Sequence, residues 1–457
     1  MRSVSTTAAR LSLPILFGFS LLSASAQENS PYTRYGMGDL YNGTHIISRS
    51  MGGLGAVYSD GLNNNIGQSI NFQNPATYSN LYMTTFDMGL TIDSRTLRSE
   101  NPSGKFGSRY FAPTYLSVGM PLNKNKSLGM AFGLRPVTRI NYSVHEFGKV
   151  GTNDSLGTIY EGSGGLNQVF AGLGKRWKAL SIGFNTGYNF GRREISTKKT
   201  FLNDSVYHYQ SKSFSATDFN GIFFNAGIQY DLPIAKRENT NLKSTERYYL
   251  RFGATASLSQ KMSASQDIIR ETYTQTTSGD ITIDSVYASK NLKGKIELPA
   301  SYSGGVMLHK TVSNTRGVFE MWSIGAEYSA TQWSKYRFYG QTDPLVNSWQ
   351  FRLGAQLSPD PISARNYWSN VNYRAGVYFG KDYVNADGKE LKQFGISLGA
   401  GLPIKKWRSY DYQFTVINTA LQFGKRGSGV NNITENFFQF SVGFSLSDVW
   451  FRKMKYD

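Results

Sequence analysis

Leu180 to Gly191 reads Leu-Ser-Ile-Gly-Phe-Asn-Thr-Gly-Tyr-Asn-Phe-Gly. Leu180, Ile182, Phe184, Tyr188 and Phe190 fall at one parity, and Ser181, Gly183, Asn185, Gly187, Asn189 and Gly191 at the other. Successive side chains of a strand point to opposite faces, so this stretch makes one greasy face and one wet face of small residues. The same alternation returns over residues 250–258, 393–402 and 438–446. A soluble sandwich with its polar face outward gives this pattern too, so the number and length of the segments must decide.

From Thr84 onward the pattern predicts strands near 84–96, 109–121, 127–143, 160–176, 180–196, 213–232, 247–263, 286–309, 318–334, 347–357, 371–384, 390–403, 409–423 and 434–447. That is an even number, and each segment reaches the roughly ten residues that a tilted strand needs to cross a bilayer. No linker, charge block or low-complexity stretch divides the chain into smaller units. The expectation is an all-β protein: one transmembrane antiparallel β-barrel of about 14 strands over residues 84–449, with a periplasmic tail at 450–457.

The N-terminus supports export. Arg2 and Arg10 precede or enter an apolar run from Leu11 to Leu22, and Ala24-Ser25-Ala26 follows. Residues 1–26 therefore read as a secretory signal, because about twelve apolar residues fall short of the roughly twenty that span a membrane. The chain has no cysteine and four scattered histidines, which leaves no disulfide framework, thiolate site or metal cluster to expect. Lys and Arg outnumber Asp and Glu by 49 to 31, a charge that suits nucleic acid, anionic lipid or an acidic partner. Export argues against nucleic acid.

Ahead of the strands lies Met51 to Ser79, MGGLGAVYSDGLNNNIGQSINFQNPATYS, too polar and glycine-rich to build a core of its own. Residues 27–83 are expected to form a plug in the bore, which fourteen strands make too wide for wall side chains to fill. Gly53, Gly55, Tyr58 and Ser59, then Asn71 and Asn74-Pro75-Ala76, then Thr85-Phe86 and Gly89, resemble the N-terminal hatch of the FadL-type long-chain fatty-acid transporters. The resemblance implies a fourteen-stranded outer-membrane barrel whose hatch shifts to pass apolar molecules. It makes Gly53, Gly55, Tyr58, Asn71, Asn74, Pro75 and Ala76 the hatch and transport residues. The chain departs from that pattern at Asp60-Gly61-Leu62-Asn63-Asn64-Asn65, which is amidated rather than acidic. Asn63, Asn64, Asn65, Gln68, Asn71 and Asn74 are expected to bond lumen groups such as Gln229, Arg251, Glu327, Arg352 and Arg374.

Alternate connections carry Lys124 and Lys126, Lys175, Arg176 and Lys178, Lys236 and Arg237, Lys310 and Arg316, Arg365, and Lys405, Lys406 and Arg408. The opposite set reads as longer, for example Val144 to Gly164 and Asp267 to Ser289. Short turns belong to the periplasm and long loops to the outside. The basic rim would then face inner-leaflet headgroups and any envelope proteins docked there. Trp333, Tyr336, Phe338 and Tyr339, Trp407, Tyr410 and Tyr412, and Trp450 with Phe451 read as interfacial girdles.

Catalysis finds little support. Gly53-Leu54-Gly55 lacks the flanking strand and helix of a phosphate loop, and Ser143, His145 and Glu146 have no oxyanion site beside them. No catalytic residue, cofactor or metal is expected. Two prolines mark a different feature. Pro113 lies in the second segment and Pro136 in the third, and proline cannot donate to a ladder. Folding about residues 122–126 sets Pro113 opposite Arg135, one residue from Pro136. FadL-like barrels are known for a kinked third strand that opens the lumen sideways, so Pro113, Arg135 and Pro136 mark the expected lateral opening. The functional expectation is an outer-membrane channel for small hydrophobic or amphipathic molecules, with outer-membrane lipids and an apolar ligand as partners. The alternative is a non-transporting barrel subunit of a secretion or barrel-assembly complex.

Overall fold

A computed structural model describes residues 30–448, apart from 42, 61–67, 101–102, 124–126, 151–153, 203–208, 240–243, 277–278, 316, 361–365, 387, 405–412 and 429–430. The signal segment, the tail, Asn63 to Asn65 and much of the basic rim (Lys124, Lys126, Arg316, Arg365 and residues 405–408) lie outside the described residues. So do the girdle residues Trp407, Tyr410, Tyr412, Trp450 and Phe451.

Fourteen antiparallel strands close into one barrel. They are β1 (Thr84–Ser99), β2 (Gly104–Asn123), β3 (Leu128–Val150), β4 (Asp154–Trp177), β5 (Leu180–Phe201), β6 (Gln210–Asn239) and β7 (Ser244–Ser257 continued by Gln260–Thr276). Then follow β8 (Gly279–Leu298 continued by Ser301–Asn314), β9 (Gly317–Thr331), β10 (Ser348–Leu357), β11 (Asn372–Ala386), β12 (Lys389–Pro403), β13 (Phe414–Arg426) and β14 (Ile433–Asp448). The ring closes where β14 pairs with β1 without interruption from Ile433↔Ser99 to Asp448↔Thr84. Each segment read from the sequence falls on one strand.

The greasy parity faces out. Ile182, Phe184, Tyr188 and Phe190 on β5 and Ile222, Phe224, Ile228 and Tyr230 on β6 are all exposed, while Ser181, Asn185, Asn189 and Gln229 are buried on the inner face. From Ile182 to Phe190 is eight steps of about 3.3 Å, roughly 20 Å of height on a tilted strand, which matches a hydrocarbon core. Past that belt the outward positions turn polar: Phe190 is followed by Arg192, and Ile222 is preceded by Asn220 and Asp218.

Two expectations change. The stretches 144–164 and 267–289 are not long loops, because β3, β4, β7 and β8 run on through them and leave only short connections. Beyond the belt neither strand face meets lipid, so the apolar alternation that signals a strand disappears while the ladder continues. The wall from β3 to β8 therefore stands higher than the rest. Trp333 and Tyr336 are not girdle residues either, since both are buried in a cluster with Tyr32, Met37, Ile296 and Tyr383. That cluster brings residues 32–37 and 333–345 together against the inner side of the tall wall.

Because the chain lacks cysteine, single cysteines report sidedness cleanly. If the tall wall stands outside the cell, a cysteine at Val286, on the exposed end of β8, reacts with a membrane-impermeant maleimide in intact cells, and one at Ala235 reacts only after the envelope is permeabilised. The opposite labelling contradicts the orientation.

Candidate functional site

The chain ahead of β1 is mostly buried and bonds to inward-facing groups on strands all round the ring. Residues Ile46–Ser50 form one short helix, capped by His45, whose Nδ1 accepts from the Ile47 amide at 3.1 Å. The other nitrogen, Nε2, lies 2.7 Å from Asp87 of β1. Asp87 also accepts the Ile70 amide at 3.2 Å and the Ser445 hydroxyl at 3.2 Å. A second wall carboxylate, Glu327 of β9, accepts the amides of Gly55 at 2.8 Å and Ala56 at 2.7 Å. Gly52 donates to Ser397 of β12 at 2.8 Å. Two buried carboxylates thus hold two turns of the segment by charge-assisted bonds, about twice as strong as neutral ones.

Of the residues singled out by the resemblance, Gly55, Tyr58, Asn71, Asn74, Pro75 and Ala76 form one knot. Asn71 donates through its amide to the carbonyls of Gly55 at 2.7 Å and Tyr58 at 2.8 Å. Asn74 donates to the Ala56 carbonyl at 2.6 Å, and its side-chain oxygen accepts from Ala76 at 3.1 Å, capping the 3₁₀ turn Pro75–Asn80. Pro75 then sits against the wall so closely that a Cβ at Gly183 would lie 2.4 Å from its carbonyl oxygen. Inward glycines are therefore contact seats for this turn. Gly53 needs its glycine for another reason, a φ of +92° that side chains disfavour.

Of the asparagines expected to bond charged wall groups, the described ones, Asn71 and Asn74, bond backbone carbonyls. The segment's backbone meets the wall groups instead, through Glu327 and through Gln229, which donates to the Ala56 carbonyl at 2.9 Å. Arg352 pairs with Glu327 at 3.0 Å, Arg251 with Asp231 at 2.5 Å, and Arg374 bonds Gln356 and Asn418. His45, Asp87 and Glu327 had no local sequence signal, being 42 and some 270 positions from their partners. Of the hydrolase-like trio, Ser143 and His145 lie 3.4 Å apart on an exposed strand face.

The wall has a seam. β2 pairs with β3 only from Asn123↔Leu128 to Leu116↔Leu134, although β2 continues to Gly104 on β1 and β3 continues to Val150 on β4. The register differs by two from the one expected: Pro113 faces no residue of β3. It pairs with Leu90 beside an irregularity at Gly89, and Pro136 pairs with Asn167 beside a bulge at Val137. The freed edge of β3 is covered by the N-terminal segment, where Asp39 and Leu40 pair with Arg139 and Thr138 and the Tyr41 amide donates to the Val137 carbonyl at 2.9 Å. Across the seam the Arg139 guanidinium lies over the Tyr110 ring, 4.5 Å from its centroid. Arg135 points inward, bonding Gln168 and the Gly43 carbonyl at 2.9 Å each.

Behind Tyr110 and Arg139 lies a chamber of about 240 Å³. Arg49, Arg95, Arg139, Arg352 and Arg426 line it, with Asp39, Asp382 and Glu435. Arg95 pairs with Asp39 at 2.7 Å and Asp93 at 3.1 Å, and Arg426 with Asp39 at 2.9 Å and Asp382 at 2.8 Å. The lining itself thus holds five guanidiniums and three carboxylates, with Asp93 and Glu327 just behind it on Arg95 and Arg352.

A closed antiparallel wall with an apolar belt outside and polar groups within defines an outer-membrane β-barrel of the FadL-type fold. The CymD monoaromatic hydrocarbon channel matches it at TM-score 0.52 and 16% identity, over 90% of this chain and 98% of that one. A FadL homologue from Pseudomonas aeruginosa matches at 0.52 and 12%, over 91% and 100%. The Ralstonia pickettii toluene transporter TbuX matches at 0.50 and 14%, over 89% and 99%. At these identities the likeness is one of fold. The BamG family model matches residues 10–457, and the chain belongs to the BamG family. No curated protein matches by sequence.

Replacing Glu327 with alanine leaves two buried amides without their acceptor, at about 1–3 kcal/mol for each stranded group, while Arg352 keeps its bond to Gln350. Hydrogen exchange at Gly55 and Ala56 should then quicken at least about tenfold, since 1.4 kcal/mol is one decade, with the barrel still heat-modifiable on gels. Unchanged exchange there contradicts the tethering role.

Proposed function

We propose that the protein is an outer-membrane channel for small amphipathic or hydrophobic molecules that enter or leave sideways through the β2–β3 seam. In this reading residues 27–83 are a hatch. The observation that carries it is the ladder's end at Leu116↔Leu134, with the chamber directly behind. In hydrocarbon an unpaired strand edge is costly, so an evolved barrel keeps one only where something passes or binds. Gly53, Gly55, Tyr58, Asn71, Asn74, Pro75 and Ala76 would set the closed position of the hatch. Pro113 and Pro136 would keep the seam open by withholding donors, with Arg135 holding the hatch at Gly43. That the similar structures include a monoaromatic hydrocarbon channel and a toluene transporter agrees with an apolar or partly apolar cargo. Nothing in the reading calls for catalysis.

A second reading, a non-transporting subunit of a secretion or barrel-assembly complex, is favoured by one observation. The end of β8 carries Ile281, Ile283, Val286 and Tyr287 exposed, and its far edge from Gly279 to Gly294 pairs with no strand among the described residues. An exposed edge of this kind is a template for another chain.

Replacing Pro113 and Pro136 together with alanine restores two donors and should reduce uptake of an apolar probe several-fold without impairing insertion. Uptake unchanged in a folded variant contradicts the seam as the route. Native mass spectrometry from mild detergent separates the two readings, since co-purified small amphipaths support transport and a stoichiometric partner chain with an empty barrel supports the second.

A further inference from the structure

On the short side of the wall, the outward face changes abruptly from apolar to cationic. The first outward position past the last belt residue is Arg109 beyond Phe111 on β2, Lys381 beyond Phe379 on β11, Lys392 beyond Phe394 on β12 and Lys425 beyond Phe423 on β13. Arg98 of β1 and Lys105 of β2 stand a little higher, and all six but Lys381 are exposed. The exposed carboxylates described on these strands and at their ends are Glu100 and Glu390, and Glu390 is taken by Lys381. Arg98, Lys105, Arg109, Lys392 and Lys425 make no ion pair among the described residues. The tall side differs. There Arg192 pairs with Glu194 at 2.7 Å and Asp218 at 3.5 Å, Lys198 with Asp280 at 3.0 Å, and Lys212 with Glu271 at 3.3 Å. The short side thus carries outer cations that the wall itself does not balance.

Three of these cations, Arg98, Lys105 and Lys425, line one open cleft together with Ser99, Glu100 and Thr434. Directly below it on the lipid-facing surface, the Phe423 and Phe438 rings lie 5.0 Å apart. We propose that this cleft binds the phosphorylated sugar head of an outer-leaflet glycolipid. Its phosphates meet Arg98, Lys105 and Lys425, its hydroxyls meet Glu100, Ser99 and Thr434, and its acyl chains run down over Phe423 and Phe438. Depth favours a lipid over an acidic protein, because the cations adjoin the apolar belt at the level where headgroups sit. Width favours a sugar head. From β13 across β14 and β1 to β2 is three strand spacings, about 14 Å, which one phosphodiester spans poorly and two separated phosphates span well. The inference does not rest on the channel reading. It rests on the tall wall standing outside the cell, which the labelling at Val286 and Ala235 checks separately.

The test is native mass spectrometry of the exported full chain, delipidated in a nonionic detergent and titrated with diphosphoryl lipid A, its dephosphorylated counterpart and phosphatidylglycerol. Diphosphoryl lipid A should bind saturably and at least tenfold more tightly than either of the others, and excess inorganic phosphate should not displace it. Replacing Arg98, Lys105 and Lys425 together with glutamine should weaken it at least tenfold, whereas the same change at Arg192, Lys198 and Lys212 should leave it as it was. Equal binding of the dephosphorylated lipid or of phosphatidylglycerol, displacement by inorganic phosphate, or a folded cleft variant with unchanged affinity overturns the proposal. Equal loss in the two triple variants overturns it too, since net charge alone then accounts for the binding. So does an acidic protein that co-purifies stoichiometrically and is lost from the cleft variant while lipid A binding persists. The comparison of lipids on the wild-type chain needs no variant, so it decides even where the cleft variant misfolds.

Discussion

In hydrocarbon a backbone N–H or C=O has no water to turn to, and the rest of this structure follows from that. Every strand needs a neighbour on both sides through the depth of the belt, so the sheet closes on itself where β14 meets β1. A ring of fourteen is too wide to be filled by its own inward side chains, so its bore holds buried polar groups that must also find partners. The wall meets part of that demand itself, pairing Arg352 with Glu327 and Arg251 with Asp231. The remainder is met by the chain ahead of β1, whose amides end on Asp87, Glu327 and Ser397.

Against this rule the seam between β2 and β3 is the exception. Its cost is reduced on one side by Asp39 to Tyr41, which take up the edge of β3 as a further strand would. Two prolines beside ladder irregularities locate the departure, since neither can supply a donor if the strands were to zip further. The same residues that cover the edge, Asp39 and Leu40, also line the chamber, so movement of the N-terminal segment would alter edge and chamber together. That coupling is what the hatch reading requires.

The sequence disclosed the strands wherever lipid imposes alternation. Leu180 to Phe190 is legible because one face must be apolar, whereas residues 267–276 of β7, wet on both sides, look like a loop. Trp333 and Tyr336 look like belt aromatics because composition near a strand end does not say which way a ring points, and here both turn inward onto Tyr32. Within the candidate site, Gly53, Gly55, Asn71 and Asn74 stood out through the resemblance, and Asn71 and Asn74 do bond the turn at Gly55 and Ala56. Their anchors Asp87 and Glu327 could not stand out, since a lone carboxylate on a wet strand face looks like any solvated residue until the fold brings Ile70 or Gly55 against it. The prolines drew attention to the second and third strands, but the register between them could not be read and differs by two from the one expected.

The central claim is that the chain ahead of β1 stops the bore while the wall stands without it. Its most direct test is the conductance, in a planar bilayer, of a barrel lacking residues 27–83 but retaining its export signal. The account predicts a folded, heat-modifiable barrel with a large, steady open conductance where the full chain shows almost none. A truncated barrel that folds and conducts no more than the full chain would contradict it.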